Sequence, residues 1–216
     1  MNARDQIFAR VSAAVATLPD KRPLPDYADD IAVSRGASGN RDLLTRFREQ
    51  MEAARGRVFT DVRALGAWLA AEGATRGVCD PALAATLAAT LGPDFTLEPT
   101  LDRARIDDYR FGITRAAGAI AETGTLILTD GGTSARLAAL APWIHIAVLD
   151  PKHIHAHVND AIAALGNDPN VIWCTGPSKT ADVEGILIEG VHGPGEQVAL
   201  IIPTAGSSVA HPHPGR

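Results

Sequence analysis

The chain has 216 residues, enough for a full hydrophobic core, and its 46% hydrophobic and 21% charged residues are ordinary for a globular domain. A net charge of −5 with no basic cloud excludes nucleic acid as an obligate partner. Two cysteines cannot build the usual four-thiolate iron–sulfur cluster, and no apolar run approaches the ~20 residues of a membrane-spanning helix. Cys79 and Cys174 both lie in apolar contexts and read as buried reduced thiols of a cytoplasmic protein.

In chain order, Ile7, Val11, Ala14, Val15 and Leu18 fall at helical spacing over 3–18. Residues 19–40 are rich in proline, glycine and charge and read as a long irregular connection. Asn40 then stands where it can cap a second helix, with Leu43, Leu44, Phe47 and Met51 as its apolar stripe and Gly56 as its stop. Together these make an N-terminal helical arm over 1–57. The arm holds ten Lys and Arg against eight Asp and Glu, a mild basicity that solvated helix faces explain more simply than a docking role does.

From Val58 onward, strand and helix alternate. Strand patterns at 57–60 and 75–80 precede helix patterns at 61–73 and 81–92, the latter with Pro81 in its first turn. Beyond a variable loop, strand segments flank Glu122–Gly124, and a turn with a short helix follows at 131–141. A buried strand at 143–150 leads through Asp150 and Pro151 into a helix over 152–166. A strand at 170–176, a helix at 178–190 and a last strand at 197–202 complete the pattern. The order predicts an α/β domain over 58–203, a mostly parallel sheet covered by helices on both faces. Residues 204–216 read as a mobile tail.

Polar residues concentrate in two places. In "AIAETGTLILTDGGTSAR", Glu122 interrupts an otherwise uncharged run, and Thr123, Gly124 and Thr125 follow it. A carboxylate there is costly unless paired or solvated. Glu122 is therefore a candidate nucleophile, general base or hydrogen-bond anchor, against the plain reading of a glutamate closing a turn. "TDGGTSAR" lacks the lysine and spacing of a Walker A loop, so its amides read as generic capping. In "CTGPSKTADVEGILIEGVHGPGE", Ser178 can cap a helix whose buried stripe is Val183, Ile186 and Leu187 and whose stop is Gly190. Asp182 suits the positive end of that helix, but Lys179 does not, and an anion beside Lys179 would reconcile the two. His153, His155 and His157 read as an exposed helical face rather than a metal site, and no metal is expected.

Taken together and in this order, "AIAETGTLIL" and "GPSKTADVEGILIEGVHGPGE" resemble the lactate utilization protein C family, the LutC/YkgG group with its LUD domain. The resemblance covers roughly residues 40–203. It implies a fold similar to the NagB/RpiA/CoA-transferase superfamily. It also implies a part in oxidising L-lactate to pyruvate, alongside partner proteins that carry iron–sulfur clusters. No cofactor is expected on this chain itself. Carried over by motif are Glu122, Thr123, Gly124 and Thr125, then Gly176, Pro177, Ser178, Thr180, Ala181, Asp182, Glu184, Gly190, His192 and Gly193.

Two expectations follow. In the first, Ser178, Thr180 and backbone amides, with Thr123, Gly124, Thr125, Gly176, Lys179 and Glu184 around them, receive a small carboxylate or a partner. Glu122, Asp182 and His192 then supply acid–base or orienting groups. In the alternative, the chain is an independent acyl- or CoA-transfer enzyme with Glu122 as its nucleophile.

Overall fold

The computed structural model describes residues 2–18, 42–130, 136–165, 170–181 and 187–203. The chain divides into two compact units, 1–40 and 41–216. In the first, α1 (Ala3–Ala16) starts at a capping box. The Asn2 side chain accepts the Asp5 N–H at 2.9 Å, and the Asp5 carboxylate accepts the Asn2 N–H at 3.3 Å. Its apolar residues Ile7, Phe8, Val11 and Val15 are all exposed, as is Leu18 just beyond it.

The second unit opens with α2 (Leu43–Ala53), capped by Asp42 through the Thr45 N–H. Asn40, expected as the cap, lies outside the described residues. The helix ends with Arg55 at φ 71, and the Gly56 N–H reaches back 2.8 Å to the Met51 carbonyl. This is a Schellman-type end with arginine in the left-handed position. Gly56 serves the packing instead, because a Cβ there would meet the Met51 side chain at 2.6 Å. Phe47 and Met51 are fully buried, so α2 belongs to the body and not to an arm that ends at 57.

Six strands form a wholly parallel sheet: β1 (Arg57–Phe59), β2 (Arg76–Cys79), β3 (Thr96–Glu98), β4 (Phe111–Arg115), β7 (Ile144–Leu149) and β12 (Glu196–Ile201). Their order is β1-β12-β7-β4-β2-β3. A second, four-stranded sheet is built from β5 (Gly118–Ile120), β6 (Thr125–Thr129), β8 (Ile154–His155) and β9 (Val171–Cys174), in the order β8-β5-β6-β9. Helices α3 (Val62–Ala71) and α4 (Pro81–Leu91) cover one face of the parallel sheet. The other face packs against α2, α5 (Arg136–Leu140) and the second sheet. Along β7, Ile144, Ile146 and Val148 point to α3 and α4, while Ala147 and Leu149 point the opposite way. Burial on both faces is why β7 is apolar at every position but His145.

Three parts depart from the sequence reading. The variable loop contains β3 and a 3₁₀ stretch, Arg103–Asp108, each too short for periodicity to announce. The helix expected over 152–166 is a 3₁₀ turn at Pro151–His153, then β8, then α6 (Val158–Leu165). Where a helix is expected over 178–190, the described residues at 179–181 and 187–189 are strand. In its place β10 (Lys179–Ala181) pairs antiparallel with β11 (Leu187–Glu189), Thr180 opposite Ile188. The expected tail lies outside the described residues.

Candidate functional site

The strand β5 ends in the turn Ala121–Gly124, which carries Glu122 out beside the start of α6. One carboxylate oxygen accepts the Val158 N–H at 2.8 Å and the other meets His157 Nδ1 at 2.8 Å. Val158 opens α6, so the carboxylate faces the positive end of that helix. Burial pushes the Glu122 carboxyl upward, but His157, the Val158 N–H and the Arg46 guanidinium outweigh it and hold the group below the usual carboxylate range. Glu122 is thus an ionised anchor with both oxygens engaged.

Next to it, hydroxyls form a chain. Thr123 and Thr125 Oγ1 are 2.7 Å apart, and Thr125 and Thr175 Oγ1 are also 2.7 Å apart. Antiparallel pairing of β6 with β9, Leu126 opposite Cys174, sets this contact. The two sequence motifs therefore meet at Thr125 and Thr175. Gly124 (φ 66) lies under α2, where a Cβ would meet Gln50 and Met51 backbone atoms.

The second motif braces the end of α2. Lys179 Nζ donates to the Ala54 carbonyl at 2.7 Å, and Arg55 pairs with Glu189 of β11 at 2.9 Å. The anion sought for Lys179 is thus the partial negative charge at a helix carboxyl end. Ser178 is tied by its backbone, its N–H to the Pro194 carbonyl and its carbonyl to the Gly190 N–H, both at 2.9 Å. Gly190 and Gly195 lie against the Trp143 indole. His192 is exposed on the loop after β11 and makes no hydrogen bond to Glu122. Asp182 and Glu184 lie outside the described residues. Ser178 precedes β10 and Thr180 lies within it.

Removing Lys179 tests the brace. Lys179→Met will lower the urea midpoint by the equivalent of about 1 kcal/mol, the scale of a cation at a helix carboxyl end. An unchanged midpoint would show that the contact contributes nothing.

A profile of the LUD domain matches residues 96–202. A lactate utilization protein C of Deinococcus radiodurans is 30% identical over 211 residues, covering 93% of this chain and 95% of its own. This chain belongs to the lactate utilization protein C family. A second lactate utilization protein C, from Bacillus licheniformis, is 30% identical over 106 residues, 45% of this chain and 44% of its own. The crystal structure of a DUF162 family protein from Deinococcus radiodurans matches with a TM-score of 0.52 at 25% identity, covering 74% of this chain and 95% of the other.

Within this member, the motif glycines hold close approaches of α2 and Trp143, and Glu122 anchors α6. Sequence reasoning missed His157 and Arg46 as the partners of Glu122, because "HIHAH" was assigned to a helix face. Among the described residues, no group of three or more His, Cys, Asp or Glu is placed to hold a metal ion. Burial pushes the Cys79 thiol up to about 12 and the Cys174 thiol up to about 11, so neither is a reactive thiolate near neutral pH. No described helix is long and apolar enough to cross a membrane.

Sequence reasoning also missed the ends of β2, β4 and β7. Asp80 follows β2, its side chain 1% exposed, and takes Arg115 Nε at 2.8 Å. Asp150 follows β7, its side chain 7% exposed, and takes Lys152 Nζ at 3.1 Å. Each aspartate also caps the turn it begins, Asp80 through the Ala82 N–H and Asp150 through the Lys152 N–H. The available signal was a repeated word, strand–Asp–Pro, in "VCDP" and "VLDP".

Proposed function

We propose that this chain serves lactate utilization as a component without an iron–sulfur cluster of its own, acting with iron–sulfur proteins that oxidise L-lactate to pyruvate. Membership of the lactate utilization protein C family carries this reading. The oxidation removes two electrons and two protons from the substrate. These 216 residues offer two cysteines, one buried and one half-buried, too few for a four-thiolate cluster, and the electron carrier is assigned to the partners.

The motif surface suits a partner better than a reaction. Leu187, Ile188 and Val191 of the hairpin and its following loop are exposed, and so is Trp143, on which Gly190 and Gly195 rest. Exposed apolar side chains gathered around one motif are characteristic of a protein interface. The geometry of Glu122 favours an anchor over the acyl-transfer nucleophile, since each oxygen already accepts a hydrogen bond.

The test is reconstitution. The purified chain alone will not oxidise L-lactate, and a strain lacking it will regain growth on L-lactate when the gene is restored. Ile188→Asp and Val191→Asp will fold but fail to co-purify with the iron–sulfur proteins and fail to restore growth. Robust lactate turnover by the isolated chain would overturn the proposal, as would full growth with both variants.

A further inference from the structure

Among the described residues, Arg55 is the one residue other than glycine with a positive φ, 71. At the end of a helix this left-handed place goes by preference to glycine, because a Cβ crowds the backbone there. Gly56, one residue on, serves the packing of Met51 instead. The left-handed place thus holds a long cationic side chain, and backbone strain of this kind collects at functional positions.

Among the described residues, the only side-chain partner of Arg55 is Glu189. Arg55 Nη1 donates to Glu189 Oε1 at 2.9 Å, and 63% of the Arg55 side chain is exposed. An ion pair this open adds little to stability, so it does not account for the arginine. It does hold the guanidinium, and leaves Nη2 and Nε to donate elsewhere. The neighbours of the pair are apolar and exposed. Leu187 shares one face of β11 with Glu189, and Gly190, the next residue, rests on Trp143. Lys179 stands opposite Glu189 in the register and donates to the carbonyl of Ala54, the residue before Arg55. Two cations and one carboxylate therefore bond across the junction of α2 and the hairpin, and the excess charge is positive. Arginine and tryptophan at an exposed apolar patch are the residue types that dominate protein interfaces.

We propose that Arg55 takes a carboxylate of the partner protein that docks on the hairpin, at the border of the patch made by Leu187 and Trp143, with Glu189 as its positioning residue. The fitting partner face is apolar with an acidic side chain at its rim. That this partner is an iron–sulfur protein rests on the lactate-utilization reading.

The experiment is calorimetric titration of the full chain with the purified iron–sulfur proteins of the lactate system, at low and high ionic strength. The wild type is compared with Arg55→Gly, Arg55→Lys and Ile188→Asp. Arg55→Gly is expected to bind at least tenfold more weakly and to lose most of the salt dependence. Its urea midpoint will stay level or rise, since glycine relieves the backbone. Arg55→Lys keeps the charge and the strain without the fork, and will bind with intermediate affinity. A fall in the urea midpoint of Arg55→Gly, whatever its affinity, would make Arg55 a brace of α2 and overturn the proposal. Wild-type affinity in Arg55→Gly, with binding lost in Ile188→Asp, would overturn the role of Arg55 and keep the partner surface. Absence of binding by the wild type would remove the surface and this proposal with it. Self-association of the chain in sedimentation, weakened by Arg55→Gly, would assign the surface to a second copy and overturn the proposal.

Discussion

Gly124→Ala will lower the stability of the body by about 3 kcal/mol and loosen α2 from it. Two independent costs combine. The backbone at Gly124 has φ 66, a conformation that alanine adopts only at a cost of about 1 kcal/mol or more. The new Cβ would also lie 2.5 Å from the Gln50 carbonyl carbon and 2.6 Å from Met51 Cα. These are backbone atoms of α2 and cannot yield by rotating a side chain. Forced displacement of this kind costs about 1–3 kcal/mol. Because Phe47 and Met51 of α2 are fully buried in one core cluster, movement of the helix also opens packing. Gly73 supplies the comparison: it has the same φ of 66, and nothing lies within 4 Å of its would-be Cβ. Gly73→Ala therefore reports conformational strain alone. Urea denaturation of both variants, with amide exchange across 43–53, measures the difference. Equal losses in the two variants would show that the close approach of α2 is not what Gly124 is for.

The central strands β7 and β12 were legible because they are buried on both faces and so are mostly apolar; the edge strand β3, three residues and half-covered, was not. The helix starts were legible because Asp61 and Asp80 satisfy amides within three residues of themselves. The hairpin at 179–189 was not. Ser178, Asp182, Ile186, Leu187 and Gly190 satisfy every local rule for a capped helix. The strands there are held instead by distant groups: the Ala54 carbonyl on Lys179, Arg55 on Glu189 and the Trp143 ring under Gly190. No local pattern encodes such contacts.

The candidate site divides the same way. Glu122 stood out because a charge within an apolar run has to be satisfied by something. Its partner His157 lies 35 residues away and is delivered by pairing of β5 with β8, a strand of two residues that no window detects. Arg115 and the two aspartates were equally hidden. Each looks like an ordinary strand end, and only the strand order makes neighbours of them.

Acid will destabilise the protein well before its carboxylates titrate, and His145 will be the reason. This residue is fully buried on the β7 face turned away from α3 and α4. Its Nε2 is 2.9 Å from Thr114 Oγ1, and its Nδ1 is 3.0 Å from Gln197 Oε1. The Gln197 amide nitrogen faces the His145 carbonyl at 3.5 Å, which leaves Oε1 to accept from the ring. Nδ1 therefore carries the proton, and Nε2 accepts the Thr114 hydroxyl. The Thr114, His145 and Gln197 side chains are all satisfied by a neutral imidazole, and an added proton on Nε2 would break the Thr114 bond. Burial accordingly lowers the His145 pKa to about 4, with the Gln197 bond opposing that shift. The folded value is depressed below the ordinary 6.5, so the unfolded chain binds the proton more tightly. Stability is full above about pH 6.5 and falls as the pH drops toward 4. At about 1.4 kcal/mol per pKa unit, the loss is about 2 kcal/mol at pH 5 and about 3 kcal/mol at pH 4. The Glu122 carboxyl, held below its usual range, adds its own loss only at the acid end of this interval. Urea midpoints from pH 7.5 to 4 will show the slope, and His145→Gln, whatever its absolute stability, will lose most of it above pH 5, the remainder coming from His155, whose burial also lowers its pKa. Nitrogen shifts of the His145 ring should report the Nδ1–H tautomer at neutral pH. A wild-type midpoint that stays flat between pH 7 and pH 5 would mean that His145 is not the buried neutral base that its surroundings require.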